Sequence, residues 1–560
     1  MAVKNNRVDF QAQYKDEWAK FYPAISEMYT AYMVDDATRP LPGPYTKEDL
    51  NFLDPNNRLM YLPWGLYSAG QAAKNDKFAQ NQDMVTARDR NWPTSIVGDS
   101  GGFQIETGTI KWEGNKTKER MLRWLEANCD WSMILDFPTG SLTRRGHDTY
   151  YEEYCYDEMG NPIYDEVLVE DKNGNLKKKK VHRIVKHDLD FWFCLDRTME
   201  NNDYFMLHRV PGKTKFLNVL QGRYHDFSLD DDEIAKLNFA SLPREEQKKL
   251  LADHKISEVD AWYECVKHYS RDYESRSFEG WAFAGSHKNC FDLTLRRIII
   301  SLYEGLLKDK PWLHFLGMGQ LAISPLYTLI QKGVRAHPHG NTRFTISHDA
   351  SSAFSSAGAY ALVYCKTKLD KNSWSLSFDK LPEGNAYIGS KDPWVTKTAG
   401  INLASLGSPL AQFMTLGDLS VNYSTDPDPT KQRSMDKSSY AYLMHHNTYV
   451  LQKAIIEAQQ IFELPTKEAS ELIPNDVLLI KNIIEEVFSK KTKEDMLDVV
   501  KRNTSTLRAL ANSDAASISL YEDPELFEIE RKTWKKPSGK KKIDTGPQFS
   551  SVISDNSLFG

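Results

Sequence analysis

Six short apolar runs, each broken off by small or polar residues, constrain this chain more than any other feature. They are Ser95-Ile96-Val97 before Gly98-Asp99-Ser100, Met133-Ile134-Leu135 before Asp136, and Phe216 to Leu220 before Gln221-Gly222. Trp281 to Ala284 before Gly285-Ser286, Leu313 to Leu316 before Gly317, and Phe344 to Ser347 before His348-Asp349 complete the set. Runs this short and continuous suit strands buried on both faces, which means parallel strands. Helix-like stretches usually follow; Ser324 to Ile330, with Pro325 in its first turn, is one. Strand-then-helix repeats build an α/β sheet. Polar residues gathered at the C-terminal strand ends mark where a (β/α)8 TIM barrel keeps its chemistry. That barrel is the expected fold, and a doubly wound open sheet is the structural alternative.

The 560 residues leave room for such a barrel plus appendages. The expected division is an N-terminal segment over 1–60, a barrel over 61–434, a helical region over 435–512 and a basic polar tail over 513–560. Within the barrel, 150–188 reads as an inserted β-hairpin. Asn173-Gly174 lies between alternating Val/Leu/Ile/Tyr runs, and the second arm carries Lys177, Lys178, Lys179, Lys180, Arg183 and Lys186. Lysines of this kind either keep a solvated edge from aggregating or form a basic finger for a polyanion. The C-terminal region reads as helices over 436–463, after Pro474, and from Thr492 to about Ala511, the last opened by a Thr492-x-x-Asp495 cap. In the tail, Arg531, Lys532, Lys535, Lys536 and Lys540 to Lys542 surround Trp534 with no acid between them. That is either a solvated charge run or a phosphate-tracking arm.

Lys plus Arg (71) against Asp plus Glu (77) leaves a net charge of −6, so any nucleic-acid contact must come from a local basic surface. No apolar run approaches the roughly 20 residues of a membrane span, and the opening residues lack an apolar signal region. A cytoplasmic protein without a membrane partner is expected, and a homodimer stays open. The six cysteines are scattered with no C-x-x-C, which fits reduced packing thiols better than a disulfide framework.

Two motifs are decoys. Gly98-Asp99-Ser100-Gly101-Gly102 spells a serine-protease nucleophile loop, but the first histidine in the chain is His147, so the upstream base is missing. Gly317-Met318-Gly319 resembles a dinucleotide loop, yet no Asp or Glu lies between Gly319 and Asp349 to hold a ribose. Close approach of this backbone to a flat ligand is the better reading. What remains is Asp99, Asp136, Gln221 and Asp349 at strand ends. Helix capping explains any one of them but not all four. Two carboxylates in one pocket suit glycosyl chemistry or metal binding. Asp136 and Gln221 suit the amide edge of a purine, and Phe103 offers a ring for stacking.

These residues resemble the tRNA-guanine transglycosylase family. Asp99-Ser100-Gly101-Gly102-Phe103-Gln104 is similar to its D-S-G-G-F-Q signature. In the family's order follow Leu135-Asp136-Phe137, Val219 to Gly222 for V-Q-G, and Gly280 to Gly285 for G-Y-A-x-G-G with Ala284 replacing a Gly. Phe315 to Gly319 resembles Y-L-M-G-V-G, His348-Asp349 the F-D pair, and His446-Asn447 the H-N of a C-terminal helix. The match covers roughly 60–365 and 440–460.

The resemblance implies a TIM barrel of the transglycosylase type, with insertions and a helical C-terminal region, that exchanges a nucleic-acid base. Asp349 would be the nucleophile and Asp99 the general acid/base. Phe103 and Leu316 would sandwich the base, and Ser100, Asp136, Gln221, Gly222 and Gly285 would bind it. A 7-deazaguanine base would be co-substrate, with no cofactor. The family's C-x-C-x-x-C zinc cluster is missing, since residues 366–560 contain no cysteine, and only its distant His is kept as His446. No structural zinc is therefore expected, and packing should hold that junction instead. The lost cluster, basic hairpin and long tail are more like the phage and bacterial 7-deazaguanine DNA transglycosylases (DpdA type). Those enzymes place a 7-cyano-7-deazaguanine-type base in DNA and hide phage DNA from restriction nucleases. A tRNA-acting enzyme is the runner-up. A non-catalytic nucleic-acid-binding paralogue should have lost an acid, and both Asp99 and Asp349 are present.

Overall fold

The computed structural model describes residues 7–34, 39–75, 92–106, 110, 112–139, 150–157, 161–170, 176–271, 277–421, 434–509 and 519–520. Eight strands close into a barrel: β1 (Lys20–Ile25), β2 (Trp64–Ser68), β3 (Ser95–Asp99), β4 (Trp131–Met133), β5 (Lys215–Leu220), β6 (Gly280–Phe283), β7 (Trp312–Phe315) and β8 (Thr345–Ala350). Each pairs in parallel with the next in sequence, and β8 closes on β1 with Asp349 opposite Tyr22. Helices surround the barrel, so the chain has an α/β, TIM-barrel-like fold. The open-sheet alternative is excluded by the closure. Parallel closure puts every strand-to-helix loop at one end of the cylinder, which gathers the functional side chains there.

The barrel begins earlier than the sequence pattern implies. β1 lies inside the segment set apart as 1–60, and neither β1 nor β2 falls among the six apolar runs. Pro23 obscures β1 because a proline cannot donate to a ladder. It is tolerated because pairing to β2 starts only at Ala24, opposite Leu66.

The 150–188 insertion forms a two-tier ribbon. Tyr150–Tyr154 pairs antiparallel with Ile184–Asp188, and Tyr164–Glu170 with Leu176–His182. The Asn173-Gly174 turn signal lies outside the described residues. So does the tail, apart from Ser519–Leu520, which adds a third strand beside Trp374–Lys380 and Leu362–Leu369.

The long helix α1 (Lys437–Phe462) is buried over most of its length on every side, as a core helix must be when it lacks a polar stripe. Its polar side chains therefore need partners inside. Asn447 receives the Tyr364 N–H at 2.8 Å and donates to Ala353 O and Leu362 O at 3.1 and 3.0 Å. His446 Nε2 bonds Tyr364 O at 2.9 Å. The junction between barrel and helix is thus held by hydrogen bonds to backbone as well as by the packing expected. Burial pushes the His446 imidazole down to about 4.

After α2 (Asn475–Ser489), the stretch expected as one helix from Thr492 to Ala511 divides into α3 (Lys493–Arg502) and α4 (Thr504–Ala509). The Thr492 cap is present, accepting from the Asp495 N–H. The break falls at Asn503, where side chains compete for the last carbonyls: Asn503 Nδ2 donates to Val499 O at 2.8 Å and Thr504 Oγ1 to Lys501 O at 3.0 Å. All six cysteines are free thiols. Among the described residues no helix is long and apolar enough to cross a membrane.

Candidate active site

Alternate residues of a strand face the same side, so Trp312 and His314 of β7 share a face, as do Ser347 and Asp349 of β8. Their hydrogen bonds and ring packing turn those faces inward. The far end of the barrel is plugged by aromatics, with Trp131 and Trp312 ring centroids 4.7 Å apart and Tyr22 against both Trp64 and Trp312. From this plug a polar ladder climbs to the mouth. Trp312 Nε1 donates to Ser347 Oγ at 2.7 Å, Ser347 Oγ meets His314 Nδ1 at 2.8 Å, and His314 Nε2 meets Asp349 Oδ1 at 3.1 Å. An indole N–H only donates, so the Ser347 hydroxyl proton is available to Nδ1 and Nε2 carries the hydrogen given to Asp349.

Asp349 is buried at the end of β8. A second donor reaches the same oxygen: the Gly317 N–H lies 2.9 Å from Oδ1. Gly317 has a φ of +70°, a conformation that favours glycine, and it turns this amide toward the carboxylate. The Gly317-x-Gly319 loop thus serves the Asp349 carboxylate directly. Among the described residues no hydrogen bond falls on Oδ2.

Asp99 ends β3, opposite Ser68 of β2. Its carboxylate takes the Gly101 N–H at 3.4 Å, and the Ser68 hydroxyl beside it favours the charged form. Burial pushes its pKa above the usual carboxylate range and the negative charge of Asp349 adds to this; the Ser68 hydroxyl, the Gly101 amide and His314 oppose it. The two acids, 250 positions apart in sequence, therefore share one electrostatic environment at the barrel mouth.

Asp136 follows β4 and accepts from Gln221 Nε2, just past β5, at 2.7 Å. Burial pushes this carboxyl up to about 7, with Asp99 adding and the Gln221 bond opposing. The backbone packs tightly here: a Cβ on Gly102 would stand 2.0 Å from the Asp136 carbonyl oxygen. Ser100 Oγ is buried with no hydrogen-bond partner among the described residues. Such a group costs free energy unless a ligand meets it.

Gly222 and Gly285 sit side by side at the ends of β5 and β6. The Gly222 N–H donates to Thr139 Oγ1 at 3.2 Å, and its carbonyl accepts the Ser286 N–H at 3.1 Å. Leu316, half-buried, leaves β7 next to Gly317, its N–H donating to Phe283 O at 3.1 Å. The backbone of Phe103 lies in a short helix over Gly102–Glu106, but its side chain lies outside the described residues. All the expected site residues thus stand at the C-terminal strand ends or in the loops that leave them.

Two groups escaped the sequence reading. His314 lies mid-strand in an apolar run, and its only signal is that it alternates with Trp312 on the inward face. Ser68 sits in a strand the pattern did not expose. His348, beside the nucleophile candidate, faces outward: its Nδ1 bonds Met318 O at 2.6 Å, and burial lowers its pKa to about 4.

Among the described residues no cluster of three or more His, Cys, Asp or Glu side chains gathers at metal-binding spacing. A separate cleft of about 640 Å³ opens between the 224–232 loop and α3–α4, and none of the three acids lines it. No protein-family model, curated protein or solved structure matches the chain.

Proposed function

We propose that the protein is a pentosyltransferase that exchanges guanine in DNA for a 7-deazaguanine base of the 7-cyano type. The observation that carries this reading is the sharing of one barrel mouth by Asp99, Asp136 and Asp349, with both donors to Asp349 placed on Oδ1.

Oδ2 of Asp349 attacks C1′ of the target nucleotide, forming a C1′–O bond as the C1′–N9 bond breaks. The leaving guanine takes the proton of Asp99, whose pKa is pushed above the usual carboxylate range by burial and the nearby Asp349 charge. The ester so formed is attacked by N9 of the incoming 7-deazaguanine, and Asp99 receives its proton. The C1′–O bond breaks, Asp349 is restored, and no electrons change hands. A carboxylate is a competent nucleophile at an oxocarbenium-like carbon, with a second carboxyl moving the proton. Asp136, Gln221, Ser100 and the Gly222–Gly285 backbone read the base edge, and the target nucleotide leaves its stack at a cost of a few kcal/mol. Leu316 covers one face of the base and Phe103 the other. Placed in phage DNA, such a base would resist restriction nucleases.

Incubation with labelled guanine and either duplex DNA or tRNA tests the reading. Label entering DNA is expected. Label entering only tRNA would transfer the chemistry to RNA, and no label in either would refute exchange.

A further inference from the structure

The cleft beside α3 and α4 lies at the mouth end of the barrel but outside the group of three acids. One wall, 224–232, leaves β5 just after Gln221-Gly222, with the Tyr224 N–H donating to Ser286 Oγ at 3.0 Å. The second is the start of the helix Phe291–Tyr303, which follows β6, and the third is α3–α4. Ion pairs tie all three walls together. Arg296 of the helix pairs with Asp231 of the loop, Lys493 of α3 with Asp232 of the loop at 2.8 Å, and Arg508 of α4 with Asp292 of the helix at 2.9 Å. The shape of the cleft is thus fixed before anything enters it, and about 640 Å³ suits a small-molecule site.

Asp292 sets this cleft apart from a plain acidic rim. The residue lines the cleft and is only 5% exposed. Its Oδ2 accepts from Arg508 Nε, whereas Oδ1 is buried with no hydrogen-bond partner among the described residues. A negative charge in the first turn of a helix suits the helix dipole. That accounts for an acid at this place but leaves Oδ1 without a donor, which is costly inside a protein until a ligand supplies one. Leu293 and Val500 are buried in the same lining, and Phe227, Leu229 and Leu497 are half-buried, so the body of a guest meets carbon. With the three ion pairs set aside, the lining leaves Asp226, Asp230, Glu494 and Asp498 against Lys501. The cleft is therefore net negative, which repels a phosphate backbone and attracts a cation.

We propose that this cleft binds a small organic cation, a primary ammonium carried on an apolar body. The ammonium donates to Asp292 Oδ1, and the body lies against Phe227, Leu293 and Leu497. A guanidinium is the poorer match, because its fork favours both oxygens of a carboxylate and Oδ2 is already taken. The site stands apart from the proposed base exchange and does not depend on it.

Calorimetric titration of the full chain with phenethylamine, its neutral isostere 2-phenylethanol and the anion 3-phenylpropanoate tests the proposal. The amine should bind, the alcohol should bind about tenfold more weakly or worse, as the loss of a charged hydrogen bond requires, and the anion should not bind. Asp292→Asn should weaken the amine by a similar factor and leave the alcohol unchanged. Leu497→Trp fills the cleft from α3 with every charge in place and should abolish amine binding, which decides the matter even where Asp292→Asn fails to fold. No binding of the amine, an alcohol or anion bound as tightly as the amine, or amine affinity unchanged in either variant would overturn the proposal.

Discussion

His314 and Asp349, on adjacent strands and 35 positions apart, are joined by a 3.1 Å hydrogen bond at the end of a ladder that starts from Trp312. The bond and the Gly317 amide occupy one carboxylate oxygen and fix the direction of the other. His314→Ala leaves Oδ1 a single donor. A hydrogen bond to a charged group contributes about 1.5–3 kcal/mol, so kcat should fall roughly 10- to 150-fold while KM for the base stays near its starting value. A matching rise in KM would make His314 part of base recognition instead.

The Asp136 carboxyl should set a pH dependence of both binding and stability. Its pKa is raised to about 7 by burial, so it is largely protonated below that pH and acceptor-only above it. The N1–H and N2–H of a guanine-type base are donors, so base affinity should increase as pH rises from about 6 to 8, and Asp136→Asn should remove the trend. Stability runs the opposite way. The unfolded carboxyl ionises near 3.8 and the folded one near 7, so the contribution is fully present below pH 4 and lost as pH rises to 7. At about 1.4 kcal/mol per unit this is on the order of 4 kcal/mol. Denaturant melts at pH 4.5 and 7.5 should differ less in Asp136→Asn than in the wild type.

Gly102→Ala should behave as a site mutation rather than a surface one. Its Cβ would collide with the Asp136 carbonyl at 2.0 Å and displace the base-reading carboxyl. Calorimetric titration with guanine should show at least a tenfold loss of affinity; unchanged affinity would mean that the backbone yields elsewhere.

Asn447→Ala should destabilise without touching chemistry. It leaves the Tyr364 N–H and the Ala353 and Leu362 carbonyls without their partner. An unsatisfied buried group costs about 1–3 kcal/mol, so a loss of about 3 kcal/mol in chemical unfolding is expected. Exchange per folded molecule should be preserved.

The sequence made the acids legible because each stands where an apolar run stops, and a polar residue at that place has few structural uses. The strands that were legible, β3 to β8, are short and apolar because both faces are buried. β1 and β2 were hidden by Pro23, Gly65 and aromatics whose polar atoms point into the barrel, as the bond between Tyr22 Oη and Ser95 Oγ illustrates. His314 was hidden for the opposite reason: a lone polar residue inside an apolar run usually reads as packing. Its role depends on Ser347 and Asp349 in the neighbouring strand, and no local pattern encodes that adjacency. The break at Asn503 was likewise unreadable from periodicity, since α3 and α4 continue one apolar stripe.

The central claim is a covalent bond between Asp349 and a nucleotide sugar. Denaturing the protein during reaction with duplex DNA, in the absence of any acceptor base, and mapping the adduct by mass spectrometry tests it most directly. The account predicts a deoxyribosyl ester on the peptide containing Asp349, with guanine released in equal amount and neither product formed by Asp349→Ala. An adduct on another residue, or undiminished exchange by Asp349→Ala, would contradict it.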